Sequence, residues 1–347
     1  MEHGRGFGEI SQNHSDVCLA GGEYRPTSAA PKYNLNDTTR SYALQLCEYR
    51  KQPRQEYEWT LPTPENACLP RSLHRHGHKQ HPFMAVPYCN TARNLTILFL
   101  GDSTAQLMFW SFVHLLKVDS GEQQPLQNVE NSGNSALLCD GLTHVLYGRD
   151  DNLMAPFVES QVARANPDVL VLNRGIHVVS DSRLQAEMTS LKVALSSLRI
   201  RMPRVRLFWR TTLPGHAHCN STSTLLSERY VVAQPPNGTT QTSSYSAYGW
   251  QHVERQNALI RALLDSAPSL PIEYLDAFEL SNRRADRHQW YRRRAHGPPV
   301  RDCLHYCAPG PVDDWNALLA IKLMQQQSAL FSAQADSKAA RVHPRKS

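Results

Sequence analysis

Short apolar runs that read as buried strands alternate with longer stretches of helical periodicity. That alternation predicts an α/β fold with a parallel sheet covered by helices on both faces. A second observation is where the polar residues fall. Gly101-Asp102-Ser103-Thr104 follows the run Leu95–Leu100 directly, and Asn173 closes another run, so both reach the strands' carboxyl edge, where ligands bind in such sheets. The third is bulk: 347 residues with 41% hydrophobic content suit one α/β domain with an elaborated N-terminal part.

Residues 1–93 carry Pro, Asn and His with little periodicity, and read as a disulfide-tied cap. Residues 94–331 form the catalytic domain, and 332–347 a disordered basic tail. Strands are expected over Leu95–Leu100, His144–Tyr147, Asp168–Asn173, Val205–Trp209 and Ile272–Asp276. A helix over 104–117 places Ala105, Met108, Phe109, Phe112, Val113 and Leu116 on one face. A second, over 183–199, repeats Leu184, Met188, Leu191, Leu195 and Leu198; further helices cover 250–264 and 314–331. The Ser-, Thr-, Pro- and Gly-rich stretch Gln234–Gly249 reads as a surface loop, or a lid over the site.

Ser103 at a strand-to-helix turn is a candidate nucleophile, with amides of the helix N-terminus placed to hold an oxyanion. Asp302 precedes His305 by three residues, close enough for the carboxylate to orient the imidazole while its other nitrogen faces the serine. Catalytic Ser103, His305 and Asp302 would then work with an oxyanion hole built from Ser103 and Asn173. Asn173 also suits a plain strand-end cap, and Asp102 suits a turn-fixing role. His177, Arg210 and Trp290 are candidate substrate contacts, with a structural place the alternative for His177 and pairing with a carboxylate the alternative for Arg210.

These residues carry a resemblance. Ile97–Ser103 and the block Arg301–Leu319, with its Asp-Cys-Leu-His-Tyr-Cys-Ala-Pro-Gly-Pro-Val-Asp-Asp-Trp-Asn run, resemble the two ends of the PC-esterase domain of trichome-birefringence-like proteins. Those belong to the SGNH (GDSL) superfamily. Tyr306 stands where that block usually has Trp. Asp168–His177 and Trp209–His216 match in style, so the resemblance spans about Cys18 to Leu330. It implies O-acetylation of glycans, chiefly cell-wall polysaccharides, in the Golgi lumen. It implies no bound cofactor but an acetyl donor, acetyl-CoA or a derivative, and a membrane protein as the supplier of acetyl groups. A carbohydrate O-acetylesterase with the same triad, and a non-catalytic secreted glycan-binding protein, are the alternatives.

Eight cysteines, Cys18, Cys47, Cys68, Cys89, Cys139, Cys219, Cys303 and Cys307, form an even set expected to pair completely, with Cys303 or Cys307 tying the catalytic segment to another part of the chain. Sequons at Asn13, Asn36, Asn94, Asn220 and Asn237 agree with a secretory route. Met1–Ser15 has no apolar core of a signal peptide, and no apolar run approaches the roughly 20 residues of a transmembrane helix. The loop histidines His74, His76, His78 and His81 lack the spacing of a zinc site, so no metal is expected. The net charge of +6 concentrates in Arg283, Arg284, Arg287, Arg292, Arg293, Arg294 and Arg301, read as a solvated basic loop in which Trp290 and Tyr291 could stack on sugars. No recognition motif accompanies that charge, so nucleic acid is not an expected partner.

Overall fold

The computed structural model describes residues 23–27, 56–60, 86–121, 134–178, 180–217, 219–231, 249–292 and 299–325. In chain order these form β1 (Glu23–Thr27), β2 (Glu56–Thr60), α1 (Tyr88–Ala92), β3 (Thr96–Gly101), α2 (Ser103–Ser120), β4 (Ser135–Leu138) and β5 (Thr143–Arg149). Next come α3 (Ala155–Ala165), β6 (Val169–Leu172), α4 (Asp181–Arg201), β7 (Arg206–Arg210), α5 (Val253–Asp265), β8 (Ile272–Leu275) and α6 (Ala277–Asn282). The hairpin β9 (His288–Arg292) and β10 (Pro299–Tyr306) follows, and then helix α7, residues 311–325.

The main sheet runs β4-β5-β3-β6-β7-β8. All neighbours are parallel except β4, an antiparallel edge strand on β5. From β3 the chain moves outward to β5 on one side, then returns to place β6 on the other, so the order of connections reverses between β3 and β6. Crevices for ligands open at that reversal. Ser103 and Asn173 follow the two strands that flank it.

Period-2 alternation explains why both faces need helices. In β3, Ile97 and Phe99 join one core cluster while Leu98 and Leu100 join the other; in β6, Val169 and Val171 separate from Leu170 and Leu172 in the same way. The first cluster packs α2 and α7 against the sheet, and the second packs α3, α4 and α5. α4 buries Leu184, Met188, Leu191, Leu195 and Leu198, the predicted stripe.

α2 departs from expectation. It is buried almost all round from Thr104 to Lys117, not along one face, because α1 and α7 cover the side turned away from the sheet. Asp102 caps its start by accepting from the Thr104 amide, and Gly121 closes it in a left-handed turn. The sequence reading missed α3, which buries only Val158 and Val162 and so carries a weak pattern. It also missed β4, whose four residues are too few for periodicity to register.

The cap at 1–93 and the tail at 332–347 lie mostly outside the described residues, as do the histidines from His74 to His81 and sequons Asn13, Asn36 and Asn237. Cys89 pairs with Cys139, tying the approach to β3 to the turn after β4. Among the described residues no helix is long and apolar enough to cross a membrane.

His114 on α2 gives the fold a pH sensitivity. Burial, helped by the Lys117 charge, pulls its pKa from the ordinary 6.5 down to about 4. The unfolded chain therefore binds this proton first, so stability is complete above roughly pH 6.5 and declines as pH falls toward 4. The loss from this group reaches on the order of 2 kcal/mol at pH 5. Urea midpoints should drop between pH 7 and pH 5, and His114→Met should shrink the drop; an unchanged wild-type midpoint would contradict it.

Candidate active site

The turn that carries Ser103 is shaped by close approach. Gly101 sits at φ +154°, where a Cβ would come within 2.7 Å of the Asn173 carbonyl oxygen, so glycine lets β3 and β6 converge directly beneath Ser103. Asp102 is fully buried and acts below the turn: its Oδ1 accepts from the Thr104 amide at 2.8 Å and the Thr104 hydroxyl at 2.6 Å. Tyr147 on β5 donates its hydroxyl to the Asp102 carbonyl at 3.0 Å. The expected turn-fixing role of Asp102 matches this geometry.

The other half of the site depends on an interruption of β10. Residues spaced by three point to opposite faces of a regular strand, which would separate Asp302 from His305. The hairpin register pairs Arg301 with Trp290 and Tyr306 with His288, so β10 advances five residues while β9 advances two. The extra residues bulge out and turn both side chains the same way. His305 Nδ1 then lies 2.7 Å from Asp302 Oδ2, and His305 Nε2 lies 2.7 Å from Ser103 Oγ. The amides of Leu304 and His305 donate to Asp302 Oδ1 at 3.1 and 3.4 Å. Burial pushes the Asp302 carboxyl upward, but the hydrogen bond and charge of His305, with these amides, hold it below its ordinary value. The carboxylate is therefore ionised at neutral pH.

Three contacts fix the bulge. Cys303, at its centre, is bonded to Cys219. The Arg301 guanidinium donates to the carbonyls of Cys219, at 2.7 Å, and Thr222, and lies 5.0 Å from the centre of the Trp290 ring. Cys307 is also in a disulfide, with a partner outside the described residues, and its amide donates to the Arg287 carbonyl at 2.8 Å. The remaining cysteines, Cys18, Cys47 and Cys68, lie outside the described residues.

Beyond the bulge, the Asp-x-Trp-Asn part of the second block is structural. Asp313 accepts from Ser111 at 2.6 Å, and Asn316 donates to the Met108 carbonyl at 2.9 Å, locking α7 to α2. Trp315 is fully buried and donates to Ser281 at 2.9 Å. The chain carrying His305 is thereby anchored to the helix carrying Ser103.

Several expectations change. Arg210 has no solvent exposure, so it cannot meet substrate; it donates to Thr104 Oγ1 at 2.6 Å and faces the Trp315 ring. Burial lowers its pKa to about 10, leaving it charged beneath the Ser103 turn beside Asp102. Asn173 is 1% exposed; its amide donates to the Arg210 carbonyl at 3.2 Å and its Oδ1 lies 3.3 Å from the Thr104 hydroxyl, so it ties three strand ends together. His177 is partly exposed on the loop after β6, 3.9 Å from Asp151, apart from the triad contacts.

The arginine run is not a solvated loop throughout. Arg284 and Arg287 are buried around Asp286, at 3.0 and 3.1 Å, and Arg301 is buried as described. Charges brought inside in this way must be paired, and Asp286 supplies the pairing. Arg293 and Arg294 lie outside the described residues. Trp290 is half-buried with Arg301 beside its ring, which reduces what it can offer a sugar. Among the sequons, Asn94 is exposed, while Asn220 already accepts the Arg301 amide at 2.8 Å. A sequence reading could have flagged His216 and His288, both buried close behind His305, only through the motif-like setting of His216.

Residues 154–322 match the PC-Esterase family, described as a GDSL/SGNH-like acyl-esterase family found in Pmr5 and Cas1p; the match includes Asp302 and His305. The chain is 23% identical to the rice (Oryza sativa subsp. japonica) protein named Probable xylan O-acetyltransferase 9, over 92% of this chain and 79% of that one. It is also 23% identical to Protein YLS7 of Arabidopsis thaliana, over 90% of this chain and 71% of that one. Among solved structures, a family 3 carbohydrate esterase of Clostridium thermocellum aligns at TM-score 0.37 and 14% identity, covering 68% of this chain and 98% of that one. A GDSL-like lipase from Parabacteroides merdae aligns at TM-score 0.36 and 11% identity, covering 67% of this chain and 97% of that one.

Replacing Cys219 and Cys303 together by Ser should cost roughly 4 kcal/mol, because the bridge closes a loop of 84 residues. It should also lower turnover about tenfold or more by loosening the bulge, since small misplacements of reacting groups are costly. Denaturant unfolding and kcat on the folded variant measure the two effects, and an unchanged kcat would contradict the second. Residues 154–322 are thus similar to a GDSL/SGNH-like acyl-esterase family; Asp302 and His305 fall inside that stretch, and Ser103 lies before it.

Proposed function

We propose that this protein is a polysaccharide O-acetyltransferase that works through an acetyl-serine at Ser103. The observation that carries the reading is the continuous contact Ser103 Oγ, His305 Nε2, His305 Nδ1, Asp302 Oδ2, with both hydrogen bonds at 2.7 Å. In the first half-reaction Ser103 Oγ attacks the acetyl carbonyl of the donor while His305 Nε2 takes its proton. Asp302 stabilises the imidazolium, which returns the proton to the departing donor group. In the second half-reaction a sugar hydroxyl gives its proton to His305 and attacks the acetyl-serine, and the serine oxygen recovers the proton on leaving.

The oxyanion formed in each half-reaction needs donors at the start of α2. Asp102 already takes the amides of Thr104 and Ala105. The Ser103 amide, first in the helix, is the donor this reading assigns to the oxyanion, while Asn173, 1% exposed and donating to the Arg210 carbonyl, holds the strand ends rather than the oxyanion. The donor is acetyl-CoA or a derivative supplied through a membrane partner. The acceptor is a cell-wall glycan of the xylan class, in line with the name of the rice relative. Disulfides on either side of the site fit an oxidising compartment, in this reading the Golgi lumen.

Hydrolysis uses the same triad with water as acceptor, so acceptor dependence decides between transferase and esterase. With an acetyl donor and a xylo-oligosaccharide, acetylated product should exceed free acetate, because an oriented hydroxyl reaches an effective concentration of roughly 10⁵ M. Acetate release unchanged by any acceptor would make the protein an esterase. Ser103→Ala should cut either activity by roughly 10³-fold or more without unfolding the protein. Activity retained in the purified variant would remove the serine mechanism.

A further inference from the structure

Directly behind the catalytic histidine lies a second, buried pair of imidazoles. His216 and His288 are each 1% exposed, and their facing nitrogens, Nδ1 and Nε2, are 2.8 Å apart. The outer nitrogen of His216, Nε2, lies 2.7 Å from the Asn282 carbonyl. The outer nitrogen of His288, Nδ1, lies 3.1 Å from the carbonyl of His305 itself. The chain thus begins on α6 and ends on the main chain of the proposed base.

Counting protons exposes an imbalance. Each carbonyl can only accept, so each outer nitrogen must carry a proton to form its bond. The contact between the rings needs one more. Three hydrogen bonds therefore need three N–H protons, whereas two neutral imidazoles hold two. The Tyr306 hydroxyl, 3.4 Å from His216 Nδ1, donates to the Pro214 carbonyl at 3.1 Å and cannot serve both. In the neutral pair one contact always sets two lone pairs against each other.

We propose that His216 and His288 are positioning residues for His305, forming a chain that is one proton short and that grips the His305 carbonyl fully only when it takes up a single shared proton. This rests on the reading of His305 as the base. The surroundings decide when the proton enters. Asp286 and Asp302 favour it, but Asp286 is already paired with Arg284 and Arg287, and Arg301 opposes it. The other titratable neighbours, Tyr230, Tyr306 and His305, bring no negative charge at neutral pH. Burial, the largest influence on both rings, also holds them neutral. The pair is neutral at neutral pH and gains its proton on acidification, below the range of an exposed histidine.

Two measurements test this on the full chain. Nitrogen-15 NMR of histidine-labelled protein should show both buried rings changing together, in one single-proton step, as pH falls from 7.5 to about 3. Two separate titrations, or neutral rings throughout, would overturn the proton count, whatever Ser103 does. His288→Gln and His216→Gln should lower kcat about tenfold, leave KM within about twofold, and change the acid limb of the kcat–pH profile. Folded variants with wild-type kcat and profile would overturn the positioning role while leaving the serine mechanism standing. If a Gln variant does not fold by circular dichroism, Tyr306→Phe is the substitute. It frees the Pro214 carbonyl without touching the three contacts, and should keep the single-proton step; its loss would count against the pair.

Discussion

Everything in this molecule turns on one hydrogen bond that spans 202 residues of sequence, from Ser103 Oγ to His305 Nε2. A bond of that kind is worth only about 1 kcal/mol in net stability, so it cannot gather the two segments by itself. The fold must deliver both groups in advance. The sheet delivers Ser103, because a glycine lets β3 and β6 approach and a buried Asp102 caps α2 beneath it. The hairpin delivers His305, because a bulge turns it toward Asp302 and because α7 is bonded to α2 by Asp313 and Asn316.

The buried charges serve the same end. Arg210 and Asp102 lie under the nucleophile, and Arg284, Asp286, Arg287 and Arg301 lie under the bulge. Charge taken out of water is costly unless paired or hydrogen-bonded. An arrangement in which Arg284 and Arg287 share Asp286, and Arg210 and Arg301 are held by hydrogen bonds, therefore resists alternatives in which the turn or the bulge shifts. Burial of the polar groups adds little stability but narrows the geometries available to the triad.

Sequence and structure can be compared element by element. The parallel strands β3, β6 and β7 were legible because their apolar runs are continuous, as strands buried on both faces require. The contact of Asp302 with His305 was legible because the two residues lie three apart, and the exposed turn at Ser103 because it follows an apolar strand directly. The bulge was not, since nothing in Asp302-Cys303-Leu304-His305 marks a strand interrupted by extra residues. The arginine run misled because a row of charges looks the same whether it faces water or encloses an aspartate such as Asp286. Arg210 misled similarly: a strand-end arginine points to substrate unless the aromatic and acidic groups around it are known. The histidine pair is a product of tertiary contact alone, with its members 72 residues apart.

The central claim is that Ser103 carries the acetyl group while His305 moves the proton. Incubating the protein with an acetyl donor and no acceptor, quenching in acid and mapping peptides by mass tests it most directly. The account predicts an acetyl group on Ser103 that disappears when a xylo-oligosaccharide is added before the quench, and that does not form in His305→Ala. Acetylated oligosaccharide formed at the wild-type rate, with no acetyl-Ser103 trapped at any time point and with Ser103→Ala still active, would contradict it.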